Sequence, residues 1–288
     1  MTTAPMMSAC KPTVNAVGIG SSAWLGRIVC GDNTEILSGF PAECVDLVVT
    51  SPPYDDLRTY GGHSWNFETL AAQLVRVLKP GGVIVWVVAD ATVDGSETGT
   101  SMRQYLHWKD AHGLNLHDTM IWHKGGFTGV GSVQIRYGPC HEYMFVVSKG
   151  KPKTFNALKD RKNKWAGDER KHRMVRLPDG SMIKKTHDIL PLGEFGIRFN
   201  VWEIPPAQNE HPAPFPEALA KDHIASWSNP GDVVLDPFSG SGTTCKAAKE
   251  LNRQWCGIEI NPEYCAIAEG RLSQDVLQLE TCAMRPNH

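Results

Sequence analysis

Two short stretches carry residue types suited to chemistry, one at a reacting amino group and one at a bound ligand. Thr50-Ser51-Pro52-Pro53-Tyr54 places hydroxyls, two imino acids and an aromatic ring in one run. The lone pair of a base amino group is delocalised into the ring, so a catalyst gains by accepting its N–H hydrogens and favouring a pyramidal nitrogen. Ser51 Oγ and the Pro52 carbonyl could accept them, with Pro53 helping to fix the loop in advance. Tyr54 offers a face on which a flipped base could stack. A rigid proline turn without chemistry has the same local pattern. The second stretch is Asp236-Pro237-Phe238-Ser239-Gly240-Ser241-Gly242-Thr243-Thr244, where Gly240 and Gly242 let backbone approach a ligand at a helix start. No lysine follows Gly242, so the phosphate-cradling GxxxxGK[ST] pattern is excluded. Glu259 follows Asp236 by 23 residues, a spacing at which a carboxylate can accept both hydroxyls of a ribose. The bland counterpart is a packed turn with a surface carboxylate.

The elements around these stretches predict how they are held. Val45 to Thr50 is an apolar, β-branched run, read as a buried parallel strand that Pro52 and Pro53 end abruptly. Arg27 to Cys30 and Val83 to Ala89 read as further strands. The same holds for Thr119 to Trp122, Glu142 to Ser148 and the run resuming at Phe199. Phe67 to Leu78 has helical spacing and is stopped by Lys79-Pro80-Gly81-Gly82. Val233 to Asp236, a glycine loop, a helix over Thr243 to Leu251 and a strand over Gln254 to Ile260 make a βαβ unit. The alternation predicts an α/β fold with a doubly wound, mostly parallel sheet, in which Asp32, Ser51 to Tyr54 and Asp236 to Gly242 meet at the carboxyl ends of strands.

Composition narrows the class. A hydrophobic content of 41% and 21% charged residues are ordinary for a soluble globular protein. No stretch approaches the roughly 20 apolar residues that span a bilayer, and the start has no signal-peptide pattern, so no membrane partner and a cytoplasmic location are expected. The eight cysteines form no CxxC pair and no Cys/His zinc spacing, so we read them as reduced thiols and expect no metal. His107, His112, His117 and His123 read as packing or surface residues. The net charge of -2 conceals an asymmetry: residues 149–198 hold 14 Lys and Arg against 6 Asp and Glu, and the rest holds 15 against 25. Lys159, Arg161, Lys162, Lys164, Arg170, Lys171 and Arg173 cluster around Trp165, as expected of a surface that neutralises phosphates, although many such runs are only solvated loops. The expected division is an N-terminal arm over 1–26, a catalytic domain over 27–148 and 196–273, the basic insert over 149–195, and a tail over 274–288.

In this order, the pieces resemble the amino-methylating DNA methyltransferases, cytosine-N4 and adenine-N6, in the group whose catalytic tetrapeptide precedes the cofactor loop. The similarity spans most of residues 27 to 273. It includes Gly31-Asp32-Asn33, Ser51-Pro52-Pro53-Tyr54, Leu78 to Gly82, His141-Glu142-Tyr143 with Ser148-Lys149, His211 to Pro216, Asp236 to Thr244, and Gly257 to Tyr264. The resemblance implies a Rossmann-like methyltransferase fold, S-adenosyl-L-methionine as cofactor and DNA as partner. It implies that Asp32 contacts the adenine amino group, and that Glu259 holds the ribose. Asp236, Phe238, Gly240, Gly242, Thr243 and Phe215 would surround the methionine part. The tetrapeptide Ser51, Pro52, Pro53 and Tyr54 is then catalytic, and residues 149–195 form the target-recognition insert. Serine at position 51 is similar to the cytosine-N4 pattern, and aspartate there is usual in adenine-N6 enzymes. Cytosine-N4 is therefore the expected target, with adenine-N6 as the alternative. A DNA-binding protein with a silent cofactor pocket is argued against by the intact tetrapeptide, Gly240, Gly242 and Glu259. Methylation of RNA or protein would not need the insert to read duplex DNA. Pro139-Cys140 superficially resembles the carbon-5 cytosine nucleophile, but the motif order is wrong and Cys140 is read as incidental. No endonuclease motif is present, which leaves an orphan enzyme or half of a restriction-modification pair with a separately encoded endonuclease; monomer and homodimer stay open.

Overall fold

The computed structural model describes residues 23–53, 65–126, 136–167, 173–185, 192–207 and 216–273. In chain order its first elements are β1 (Arg27–Cys30), α1 (Asn33–Ser38), β2 (Val45–Thr50), α2 (Phe67–Val77) and β3 (Leu78–Val88). Next come a short pair, β4 (Thr92–Val93) and β5 (Ser96–Glu97), then α3 (Thr100–Asp110), β6 (Asn115–His123) and β7 (His141–Ser148). A second compact unit, Asn156–Asn200, contains β8 (Arg161–Lys162), β9 (Arg173–Arg176), β10 (Met182–Lys185) and β11 (Phe195–Gly196). The first unit then resumes with β12 (Val201–Glu203), α4 (Glu217–Trp227), β13 (Val233–Asp236), α5 (Thr243–Glu250), β14 (Gln254–Glu259) and α6 (Pro262–Ser273).

One eight-stranded sheet runs in the order β1-β14-β13-β2-β3-β7-β6-β12. β7 pairs antiparallel with β3 and β6, and every other pairing in this sheet is parallel. The chain leaves β13 through α5 towards β14 on one side, and leaves β2 through α2 towards β3 on the other. The junction between β13 and β2 is therefore a topological switch point, where a crevice opens outside the carboxyl ends. β2 is buried along its whole length because sheet neighbours flank it and helices cover both faces. Its one charged residue, Asp46, is satisfied by Lys79 Nζ at 2.6 Å and the Val233 amide at 2.9 Å.

α2 forms where the sequence repeats apolar residues at helical spacing, and it buries Leu70, Ala71, Leu74 and Val77. Asn66 caps it by accepting from the Thr69 amide at 2.9 Å. The Lys79-Pro80-Gly81-Gly82 stop is not a loop between helix and strand: β3 begins at Leu78 and carries these residues as an irregularity. The register passes from Val45↔Leu78 to Leu47↔Val83, so the extra residues bulge out. Gly81 makes this bulge feasible, with φ of 77° and its amide donating to Lys149 O at 2.7 Å.

Two boundaries differ from the sequence expectation. Residues 1–22 lie outside the described residues, but Trp24, placed in the arm, is buried and stacked on Phe40 with centroids 4.3 Å apart. A large apolar ring gains more from burial than from solvent, so the chain joins the core before β1 begins. Lys149, counted as the start of the basic insert, serves the first unit, where its ammonium donates to Val75 O and Leu78 O at the end of α2. The second unit starts only at Asn156. The tail, 274–288, lies outside the described residues.

The βαβ unit keeps close to its sequence boundaries. Its packing depends on Gly257 in β14, where a Cβ would lie 2.5 Å from Ser239 Oγ, 2.6 Å from Ile28 Cδ1 and 2.8 Å from Cys245 Sγ. Gly257→Ala is expected to cost about 2 kcal/mol of stability by overpacking, read as a lower denaturant midpoint with an unchanged m-value. An unchanged midpoint would show that the site yields freely. α5 is tied to α4 by Lys221 and Lys246, which both reach Glu217 and Glu250. The two ammonium groups hold the Glu217 carboxyl down to about 2 against its burial, which by itself pushes it up. No helix among the described residues is long and apolar enough to cross a membrane.

Candidate active site

At the switch point, β13 ends in Asp236 and the chain turns through Pro237 to Gly242 before α5 starts at Thr243. Gly240 and Gly242 both have positive φ, 50° and 79°, which side chains with a Cβ rarely adopt. Gly242 answers a packing demand as well: a Cβ there would sit 3.0 Å from the Ala268 Cβ of α6. The carboxylate of Glu259, at the end of β14, accepts from the Gly240 amide at 2.8 Å and from the Asn261 amide at 2.8 Å. It thus fixes the glycine loop from the neighbouring strand while keeping acceptor capacity on both oxygens.

β1 closes the other side. The Gly31 amide donates to Glu259 O at 2.9 Å, so the β1–α1 turn starts level with the end of β14. Asp32 is the N-cap of α1, accepting from the Glu35 amide through Oδ1 at 2.9 Å. Asn33, which sequence reasoning gave no role of its own, is buried and donates to Pro237 O at 3.1 Å. It locks the β1 turn to the glycine loop. The signal was its place after Gly31-Asp32, but a partner 204 residues away is invisible without the topology.

The proline-ended tip of β2 lies beside this loop. Thr50 Oγ1 donates to Asp236 Oδ1 at 2.7 Å, and the Phe238 amide donates to the same oxygen at 3.1 Å. Ser51 is half-buried, Pro52 buried and Pro53 half-buried directly after Thr50. Tyr54 lies outside the described residues, as do Phe215 and all of His211 to Pro216 except Pro216 itself. Phe238 packs edge-on against Trp65 at 4.9 Å and Trp86 at 6.3 Å, joining an aromatic wall that includes Phe67 and Trp108. Trp65 had no sequence assignment, and its only signal was an aromatic pair with Phe67 at the start of a helix.

Burial drives the electrostatics. Desolvation raises the Asp236 carboxyl from its ordinary 3.8 to about 6; hydrogen bonds from Thr50, the Phe238 amide and Thr244 oppose the rise, and the nearby Glu259 charge adds to it. Two carboxylates on adjacent strand ends, each bracing the same glycine loop, favour a cation beside them. Arg271 of α6 stays outside this pairing by donating to Ser241 O at 2.7 Å, Ser241 Oγ at 2.8 Å and Thr243 Oγ1 at 3.3 Å. Thr243 is thereby drawn into fixing the loop. Cys245 and Cys256 are buried, and burial pushes both thiols up, away from reactivity. Cys140 is half-buried in the turn before β7, where its carbonyl accepts from the Lys124 amide at 2.8 Å. His107 packs against Phe67 and His112, and His117 against Trp227. Among the described residues no group of three or more His, Cys, Asp or Glu could hold a metal.

This donor set fits S-adenosylmethionine, a ligand with cationic centres, a ribose and an adenine. Asp236 and Glu259 offer negative charge, both oxygens of Glu259 keep acceptor capacity, and Asp32 lies on the adjoining turn.

The basic residues belong to the second unit. Lys159 and Lys162 are exposed. Arg161 is used internally, donating to Ile197 O at 2.9 Å with its guanidinium 4.5 Å over the Phe199 ring. Lys164 lies 5.3 Å from the Trp165 ring centre. Arg170 and Lys171 lie outside the described residues, and Arg173 is described as a backbone position in β9.

Residues 45–270 match the DNA methylase family of N6 and N4 enzymes. The orphan methyltransferase M.BamHII of Bacillus amyloliquefaciens is 52% identical over 243 residues, covering 81% of this chain and 90% of that protein. The protein TTHA0409 of Thermus thermophilus, solved with S-adenosyl-L-methionine, is 28% identical with a TM-score of 0.56, over 85% of this chain and 94% of that one. The cytosine-N4-specific PvuII DNA methyltransferase shares the fold with a TM-score of 0.63 at 23% identity, over 86% of each chain.

Proposed function

The chain belongs to the DNA methylase family of N6 and N4 enzymes, and from that premise we propose that it methylates the N4 amino group of cytosine in DNA. It is a DNA methyltransferase that uses S-adenosylmethionine. The choice of cytosine rests on Ser51 at the head of the tetrapeptide, which is similar to the cytosine-N4 pattern.

The observation that carries the reading is the 2.7 Å hydrogen bond from Thr50 to Asp236. It joins the strand tip bearing the catalytic residues to the loop bearing the cofactor residues. S-adenosylmethionine supplies an electrophilic methyl group there. Ser51 Oγ and the Pro52 carbonyl would accept the amino hydrogens of an extruded base; as the new C–N bond forms, the methyl–sulfur bond breaks to release S-adenosylhomocysteine, and one amino proton passes to solvent. Tyr54 stacks on that base. Asp236 and Glu259 hold the cofactor from the β13 and β14 ends, with Asp32, Phe238, Gly240, Gly242, Thr243 and Phe215 around it. The base is extruded at a cost of a few kcal/mol, met by contacts of the insert with the duplex. The relative at 52% identity is named an orphan methyltransferase, which supports an enzyme working without a dedicated endonuclease. A DNA substrate likewise supports a cytoplasmic location.

The test is incubation of the full chain with unmethylated plasmid DNA and labelled S-adenosylmethionine, then nucleoside mass spectrometry. N4-methyldeoxycytidine is the expected product. N6-methyldeoxyadenosine would overturn the base assignment and leave the fold chemistry intact.

A further inference from the structure

In the second unit, one element combines positive charge, exposed apolar surface and regular geometry. β9 and β10 form a two-stranded antiparallel ribbon with the pairs Arg176↔Met182, Val175↔Ile183, Met174↔Lys184 and Arg173↔Lys185. The turn at its tip is held by Asp179, whose Oδ1 accepts from the Ser181 amide at 2.9 Å and from Ser181 Oγ at 2.7 Å. We propose that this ribbon enters the major groove of duplex DNA, with Met174, Arg176, Met182 and Lys184 as the face that meets the base edges. The inference deepens the DNA methyltransferase reading by naming the element that reads the target.

Side-chain alternation settles which face is meant. Paired residues lie on one side of a ribbon, and so do residues two apart. Met174, Arg176, Met182 and Lys184 therefore share a face, and by register Arg173, Val175, Ile183 and Lys185 share the opposite one. Met174 and Met182 are 50% and 51% exposed, whereas Ile183 is 36% exposed and Val175 is half-buried. Two cations fall on each face by register, and the more open face is the one with the two methionines. Exposed large apolar side chains between cations fit a surface that is covered on binding. On DNA, methionine can lie against thymine methyl groups and arginine can fork onto guanine.

Charge and size select the partner. Residues 173–185 hold Arg173, Arg176, Lys184 and Lys185 against one acid, Asp179, which is engaged in its own turn. Strands of four residues extend about 13 Å at a rise of about 3.4 Å per residue. A two-stranded ribbon fits a major groove about 12 Å wide and is too broad for a minor groove of about 6 Å. A two-stranded ribbon is also marginally stable alone, so contacts with a duplex would stabilise it.

The test compares the full chain with Arg176→Ala/Lys184→Ala on a 30-base-pair duplex of random sequence, by anisotropy over a range of salt. Two lost cations should make the slope of log K against log salt shallower, because fewer counterions are released on binding. Affinity at moderate salt should fall at least tenfold. An A-form RNA duplex has a major groove that side chains cannot enter, so the variant should bind it as the parent does. Unchanged slope and affinity on DNA would overturn the proposal, and so would an equal loss on RNA. Cofactor titration of the variant, expected to match the parent, controls for folding. Methyl transfer by the parent is read separately. Intact transfer with unchanged variant binding sinks only the ribbon, whereas ribbon-dependent binding without transfer sinks only the enzymatic reading.

Discussion

Glu259→Ala is expected to weaken S-adenosylmethionine binding at least 100-fold in calorimetry. Two effects add. The carboxylate would lose charge-assisted hydrogen bonds to the ribose diol, each worth about 1.5–3 kcal/mol. It would also release the Gly240 and Asn261 amides, both held at 2.8 Å, so the glycine loop loses its brace. Glu259→Gln separates the two. Its amide oxygen can still accept from one backbone N–H, but the negative charge is gone, so a loss of about tenfold is expected. An affinity for the alanine variant equal to that of the parent would remove Glu259 from the cofactor site. The loop would then be the only role left to it.

Much of this architecture was legible in the sequence because it is written locally. Val233 to Asp236 is a β-branched run ending in an acid, and the observed β13 has those bounds. Val45 to Thr50 was readable for the same reason, being apolar throughout and cut off by Pro52 and Pro53. The bulge at Lys79 to Gly82 was not. Proline and glycine signal an end, yet backbone bonds between Gly81, Gly82 and Lys149 let the strand begin early. Lys149 lies just beyond the end of β7, and no local pattern announces it as a partner. The site shows the same division. Asp236, Gly240 and Glu259 stand in motifs that are readable locally. Thr50, Asn33, Trp65 and Arg271 act through partners distant in sequence. Charge counting misses such uses too: Lys149 and Arg161 weigh equally in a composition window, but the structure uses one as a helix cap and the other as an internal clamp.

Cofactor affinity should fall about tenfold per pH unit below about pH 6, with Asp236 as the titrating group. Its carboxyl is raised from 3.8 to about 6 because burial disfavours the charge. A carboxyl raised in the folded state contributes stability that is complete below its unfolded value near 3.8 and is lost as pH rises through 6. In the cofactor-free protein this loss is on the order of 3 kcal/mol, since one pKa unit corresponds to about 1.4 kcal/mol. Asp236→Asn removes the burden, so the cofactor-free variant should melt at or above the parent at pH 8. The same variant lacks the negative charge that a cationic ligand needs, so methyl transfer should drop by at least 100-fold and lose its acid limb. Thr50→Val gives an independent check. Its hydroxyl lowers the Asp236 value, so removing it should move the acid limb to higher pH without abolishing it. A purely structural threonine would lower stability and leave that limb in place. Cofactor affinity flat from pH 5 to 8 in the parent would show that Asp236 does not face the ligand. The bond between strand tip and glycine loop would then hold the fold together without serving the chemistry.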